Sequence, residues 1–176
     1  MSKTVIGIVI LLLAVAGLGV YAVATSARGS VHEQPAASNS SINTQPAPDF
    51  SLDKLGGGTV TLAEYKGRKP VVLDFWATWC PNCQRDMPHL NAFYEKYKDK
   101  IEVIGIDLQE DPSIVQKFIS DRNITFPIAL DAQGVATQAF GVRYTNFHVL
   151  VDANGNVVKA IPGDIQESDF KLLLGS

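Results

Sequence analysis

A short apolar run leads straight into two cysteines three residues apart, and few folds bring those two things together. Pro70-Val-Val-Leu-Asp-Phe-Trp-Ala is nearly continuous in apolar character, as expected for a strand buried on both faces. Trp79-Cys80-Pro81-Asn82-Cys83 comes next, and Pro81 suits the first turn of a helix. The spacing predicts a helix from Pro81 to about Lys98, kinked at Pro88 in its interior.

The rest of the folded region alternates in the same manner. Ile101 to Asp107 reads as a strand, Asp111 to about Arg122 as a helix begun at Pro112, and Ile128 to Leu130 as a short strand. Val135 to Phe140 is expected to be a short helix. Val149 to Asp152 and Val157 to Ile161 form a hairpin around Asn154-Gly155, a strong tight-turn signal. An amphipathic helix from Ser168 to Leu174 closes the chain. Together these elements predict a mixed central sheet flanked by helices.

Upstream, Val5 to Val23 is an apolar run without a charge. At about 1.5 Å per helical residue it reaches across a bilayer core of about 30 Å. The reading is one N-terminal transmembrane helix over residues 5–24, with a cytoplasmic stub, 1–4, before it and the remainder of the chain exported. Small residues around Ala22, Ala24 and Ala27 leave a cleaved signal as the alternative. Residues 25–46 are rich in Ser, Asn, Gln, Ala and Pro and read as a flexible linker to a domain spanning 47–176. The net charge of −3, without a Lys/Arg cluster, argues against nucleic acid as a partner.

Only two cysteines occur, so a disulfide scaffold is excluded and the pair is local chemistry. Three residues apart on a helix, they share a face and can bond. Cys80 stands where free amides and the helix dipole favour a thiolate, the nucleophile of disulfide exchange, and Cys83 is placed to resolve a mixed disulfide. Structural zinc would need a second Cys/His pair, and haem attachment would need His where Gln84 stands. No bound cofactor is called for beyond a redox-active disulfide.

The stretch Val72-Leu-Asp-Phe-Trp-Ala-Thr-Trp-Cys-Pro-Asn-Cys, with Pro88 beyond it, resembles the thioredoxin superfamily. Ala47-Pro-Asp-Phe-Ser-Leu, then Leu62 to Lys66, resemble its TlpA/ResA-like branch of membrane-anchored or exported thiol–disulfide oxidoreductases. The resemblance implies an α/β thioredoxin-like fold and protein thiol/disulfide clients, apocytochrome c among them. It also implies a membrane thiol carrier as redox partner and a catalytic domain outside the cytoplasm, held at the cell membrane by a single pass. By position it implies proton-handling roles for Asp74 and Glu110, and a partner-docking rim of Trp79, Pro81, Asn82, Thr145 and Asn146. The Ala47-Pro-Asp-Phe start is also similar to peroxiredoxins, but their nucleophile pattern is absent before Cys80.

One position departs from the superfamily. Its cis-proline falls on Asn146, where a cis bond would cost about 2.5–4 kcal/mol, so a trans bond or a reshaped loop is expected. That departure raises an alternative: a copper chaperone of Sco type, holding Cu(I) with Cys80, Cys83 and His148. A passive module that keeps the fold without turnover is the third reading.

Overall fold

Every residue of Val71–Trp76 is buried, and this strand, β4, is the axis on which the sheet is built. The computed structural model describes residues 45–175. The stub 1–4, the apolar span 5–24 and the linker as far as residue 44 lie outside the described residues. Among those described, no helix is long and apolar enough to cross a membrane.

The strands are β1 (Gln45–Pro46), β2 (Ser51–Lys54), β3 (Thr59–Thr61), β4, β5 (Glu102–Asp107), β6 (Ile128–Leu130), β7 (Phe147–Val151) and β8 (Asn156–Pro162). The helices are α1 (Pro81–Tyr97), α2 (Pro112–Asp121), α3 (Val135–Ala139) and α4 (Glu167–Leu173), with a 3-10 turn at Leu62–Tyr65. One mixed sheet of eight strands runs in the order β1-β8-β7-β4-β5-β6-β2-β3. β4 pairs parallel with β5 and antiparallel with β7, so it is central and its long apolar run is explained.

Alternation along β4 sorts the core into two halves. Val72 and Trp76 join Cys83, Met87 and Leu90 of α1, Phe118 of α2 and Phe170 of α4 on one face. Leu73 and Phe75 join Phe50, Ile104, Ile106 and Ala136 on the other. By the same period of two, Asp74 lies on the α1 face with Val72 and Trp76. In β7, His148 shares the parity of Leu150, which packs on that face too. Phe170 clamps α4 to α1 through Phe93 at 5.5 Å and Tyr97 at 5.6 Å between ring centroids.

Element positions match the sequence signals within a residue or two. Asp111 caps α2, its Oδ1 accepting from the Ser113 amide at 2.8 Å. Asp152 and Gly155 close the β7–β8 hairpin, with Gly155 at φ 82°. Helix α1 is continuous through Pro88. Two features correct the reading. Gln45 and Pro46, expected in the linker, pair with Val157 and Asn156 of β8, and Pro is accommodated because β1 is an edge strand. The hairpin β2–β3 carries only Leu52 and Val60 as buried residues, too weak a pattern to read in advance.

Candidate active site

Cys80 is the N-cap of α1, and its Sγ accepts from the Cys83 amide at 3.1 Å. The two cysteines form a disulfide with their Cα atoms 5.3 Å apart. Both are almost wholly buried, whereas Trp79 beside them is 65% exposed. In the reduced protein the same amide and the helix dipole would favour a Cys80 thiolate. The arrangement is therefore suited to reversible thiol–disulfide exchange.

The turn from β4 into α1 is braced from three sides. The Cys80 amide donates to the Ala77 carbonyl at 3.2 Å, and Gln84 Nε2 donates to the Thr78 carbonyl at 2.7 Å. Glu110 accepts from the Thr78 amide and, at 2.6 Å, from its hydroxyl. Glu110 thus lies against the residue that precedes Trp79, and its own amide donates to Asp107 Oδ2 at 3.2 Å. Burial pushes Asp107 up to about 7, with the nearby charges of Glu110 and Asp131 adding to the shift.

Asp74 is buried at the centre of the sheet, directly across from His148 in the β4–β7 register. Burial, reinforced by Asp86, holds its carboxyl well above the usual carboxylate range. His148 Nε2 lies 3.3 Å from Asp74 Oδ1 and 3.4 Å from Asp86 Oδ2, without an aligned hydrogen-bond partner. Its Nδ1 is 3.1 Å from the Gly163 carbonyl. Asp86 is on the buried face of α1, one helical turn after Cys83. Burial pushes it up to about 6, against the lowering effect of the Ile165 amide bonded to its Oδ2.

Asn146 occupies a left-handed conformation, φ 56°, and every peptide bond among the described residues is trans. Asn tolerates that region better than most residues, and the trans bond before it is as expected. Its amide donates to Asp164 Oδ1 at 3.0 Å, and its carbonyl accepts from the Gly163 amide at 2.8 Å. Asp164 also takes a two-pronged bond from Arg85, which reaches Asn82 Oδ1 at 3.0 Å. A chain of polar contacts therefore ties the residue between the cysteines to the Asn146 loop. Beside it a cleft of about 540 Å³ is lined by Trp79, Leu108, Gln109, Arg143, Tyr144 and Thr145, among others. Pro81 and Asn82 are exposed at the start of α1.

The structure thus unites Trp79, Asn82, Thr145 and Asn146 in one region and buries Asp74 in the sheet, opposite His148. Three residues in contact with this region were not singled out from the sequence: Asp86, Arg85 and Asp164. Only Asp86 carried a signal, a carboxylate on the apolar stripe of α1. The copper alternative finds no support: both nitrogens of His148 face protein groups, Nδ1 the Gly163 carbonyl and Nε2 the carboxyls of Asp74 and Asp86.

Comparison with known proteins agrees with this geometry. The family model "Redoxin" matches residues 43–174. The thiol-disulfide oxidoreductase ResA of Geobacillus thermodenitrificans is 40% identical over 131 residues, covering 74% of this chain and 75% of the relative. The ResA of Bacillus anthracis is 37% identical over 119 residues, 67% of this chain and 68% of its own. Among solved structures, a putative thiol:disulfide interchange protein DsbE from Chlorobium tepidum has 31% identity and a TM-score of 0.66, covering 73% of this chain and 91% of the other. The chain belongs to the redoxin family of the thioredoxin superfamily and is a thiol–disulfide oxidoreductase.

Proposed function

We propose that this oxidoreductase exchanges disulfides with protein clients outside the cytoplasm, tethered to the cell membrane by residues 5–24. The observation that carries the exchange reading is the Cys80–Cys83 bond at the amino end of α1, beside an exposed Trp79 and an open cleft. Cys80 forms the mixed disulfide, because its position at the helix end favours the thiolate. Cys83, one turn inside, then attacks Cys80 Sγ and releases the client. Asp74, buried on the α1 side of the sheet with its carboxyl pushed above the ordinary carboxylate range by burial, handles the proton of Cys83. Glu110 supports the Thr78–Trp79 turn through its bonds to Thr78. Trp79, Pro81, Asn82, Thr145 and Asn146 form the docking rim. The redox-active disulfide is the only prosthetic chemistry the mechanism uses.

The kinship with proteins named thiol-disulfide oxidoreductase supports thiol/disulfide clients; we take these to be proteins, apocytochrome c first, with a membrane thiol carrier as the opposite redox partner. The apolar run 5–23 supports the tether. The test is a redox titration of the full chain in detergent, monitored by the fluorescence of Trp76 and Trp79. A reversible two-electron transition is expected, lost in Cys80→Ser and in Cys83→Ser. Incubation with an oxidised client should trap a mixed disulfide in Cys83→Ser and none in Cys80→Ser. Absence of a reversible transition in the native chain would overturn the reading. Protease protection in intact cells tests the location: the domain should be digested from outside.

A further inference from the structure

The buried polar cluster on the α1 face contains a histidine, His148, to which the exchange chemistry assigns no part. His148 Nδ1 faces a carbonyl oxygen, which can only accept, so Nδ1 carries a hydrogen. Nε2 then faces two carboxyl oxygens, at 3.3 and 3.4 Å. Three acceptors cannot meet in a buried site without a proton among them, because a lone pair and two carboxylates would repel one another. One proton therefore resides on Nε2, Asp74 or Asp86. Nε2 has no aligned partner and lies within 3.4 Å of a carboxyl oxygen of each aspartate, so the three groups stand within reach of one shared proton.

We propose that His148 is a positioning residue that links Asp74 and Asp86 into one proton store for the Cys83 sulfur. The inference deepens the disulfide-exchange reading and rests on it. Asp74, Asp86 and Cys83 share the α1 side of the sheet, and Asp86 is one helical turn from Cys83 on the same buried face. In the resolving step the Cys83 S–H bond breaks and its proton passes to the cluster through a carboxylate. The Cys83 sulfur bonds to Cys80 Sγ, the Cys80–client S–S bond breaks, and the client sulfur leaves as a thiolate. Cys80 and Cys83 are thereby oxidised by two electrons and the client disulfide is reduced. In the opposite direction the cluster returns the proton to Cys83.

The surroundings of His148 are defined on every side. Asp74 of β4 and Asp86 of α1 face its Nε2, and the Gly163 carbonyl takes Nδ1. Asp164, between β8 and α4, and Asp169 of α4 add negative charge farther out. Arg85 and His89 of α1 act on Asp86 with opposite sign to Asp164. Asp164 is paired with Arg85 and Asp169 with Lys159, which leaves the central three as the members free to exchange a proton.

The test compares the full native chain and His148→Gln in detergent, each equilibrated with a dithiol/disulfide buffer from pH 5 to pH 8. The reduced fraction is read by thiol alkylation. Glutamine keeps a polar amide and cannot titrate. The ratio of the two equilibrium constants is expected to change at least tenfold across that range, because a proton coupled to the disulfide has been removed. A ratio constant within twofold would overturn the proposal, since a packing role shifts both constants equally at every pH. If His148→Gln fails to fold by circular dichroism, Asp86→Asn, which keeps the side-chain shape, decides by the same criterion. Loss of any reversible transition in the native chain would instead defeat the underlying exchange reading.

Discussion

At His148 two opposite demands meet, and they set the pH behaviour of the domain. Burial pushes the imidazole down to about 4, so folding disfavours its charged form. A depressed histidine binds a proton more readily when unfolded, so its stabilising contribution is present above about pH 6.5. It is lost as the pH falls towards 4. Asp86 has the opposite sign: its carboxyl is raised to about 6, so its contribution is present below about 3.8 and lost as the pH rises through 6. The expected outcome for His148→Gln is a changed slope. The stability of the native chain minus that of the variant should rise between pH 4 and 6.5 and then level off. The span is of the order of 3 kcal/mol, measured by urea unfolding at each pH. A second residue-scale prediction concerns Asp164, which holds Arg85 and Asn146 together. Asp164→Ala should cost about 1 kcal/mol or less in thermal unfolding, because the Arg85 pair is partly exposed, yet slow client exchange by freeing the Asn146 loop.

Within β5 the packing leaves no room for a side chain at one position. A Cβ on Gly105 would stand 2.7 Å from Ile128 Cδ1, 2.9 Å from Phe126 Cε2 and 3.0 Å from Trp76 Nε1. These atoms belong to packed core residues, so Gly105→Ala should destabilise by about 1–3 kcal/mol, read as a lower urea midpoint with an unchanged slope. Helix α2 offers a second element-scale test. Its cap is the Asp111 carboxylate, so Asp111→Ala should cost about 0.5–2 kcal/mol in the same measurement. Asp111→Asn should recover most of the loss.

Across the whole molecule the two tryptophans report on different places. Trp76 is fully buried against Phe118, with ring centroids 5.1 Å apart, and Trp79 is 65% exposed on the cleft. Iodide should quench only part of the emission of the native chain, and Trp79→Phe should leave emission that iodide scarcely touches. A bound client should protect the quenchable part if the Trp79 rim is where it docks. The same arrangement makes the domain its own probe of client binding, since the sheet holds one indole rigid while the active-site turn presents the other.

Local pattern was enough to determine much of this protein. The apolar run of β4, the Cys80–Cys83 spacing, Pro81 at the helix start and the Asn154-Gly155 turn each act through neighbours in the chain, and each stands where its chemistry requires. Asp74 was legible for a related reason: a carboxylate in a strand buried on both faces is costly without a task. What the fold alone decided depends on contacts between segments distant in sequence. Strand pairing sets His148 against Asp74, and helix docking brings in Asp86, so a histidine open to a copper reading from its position becomes the centre of a carboxyl cluster. The partnership of Asn146, Asp164 and Arg85 likewise joins a loop, a turn and a helix that no local periodicity connects. Hydrophobic periodicity specifies which face of an element is buried, but only the packing of one element on another specifies what that face meets.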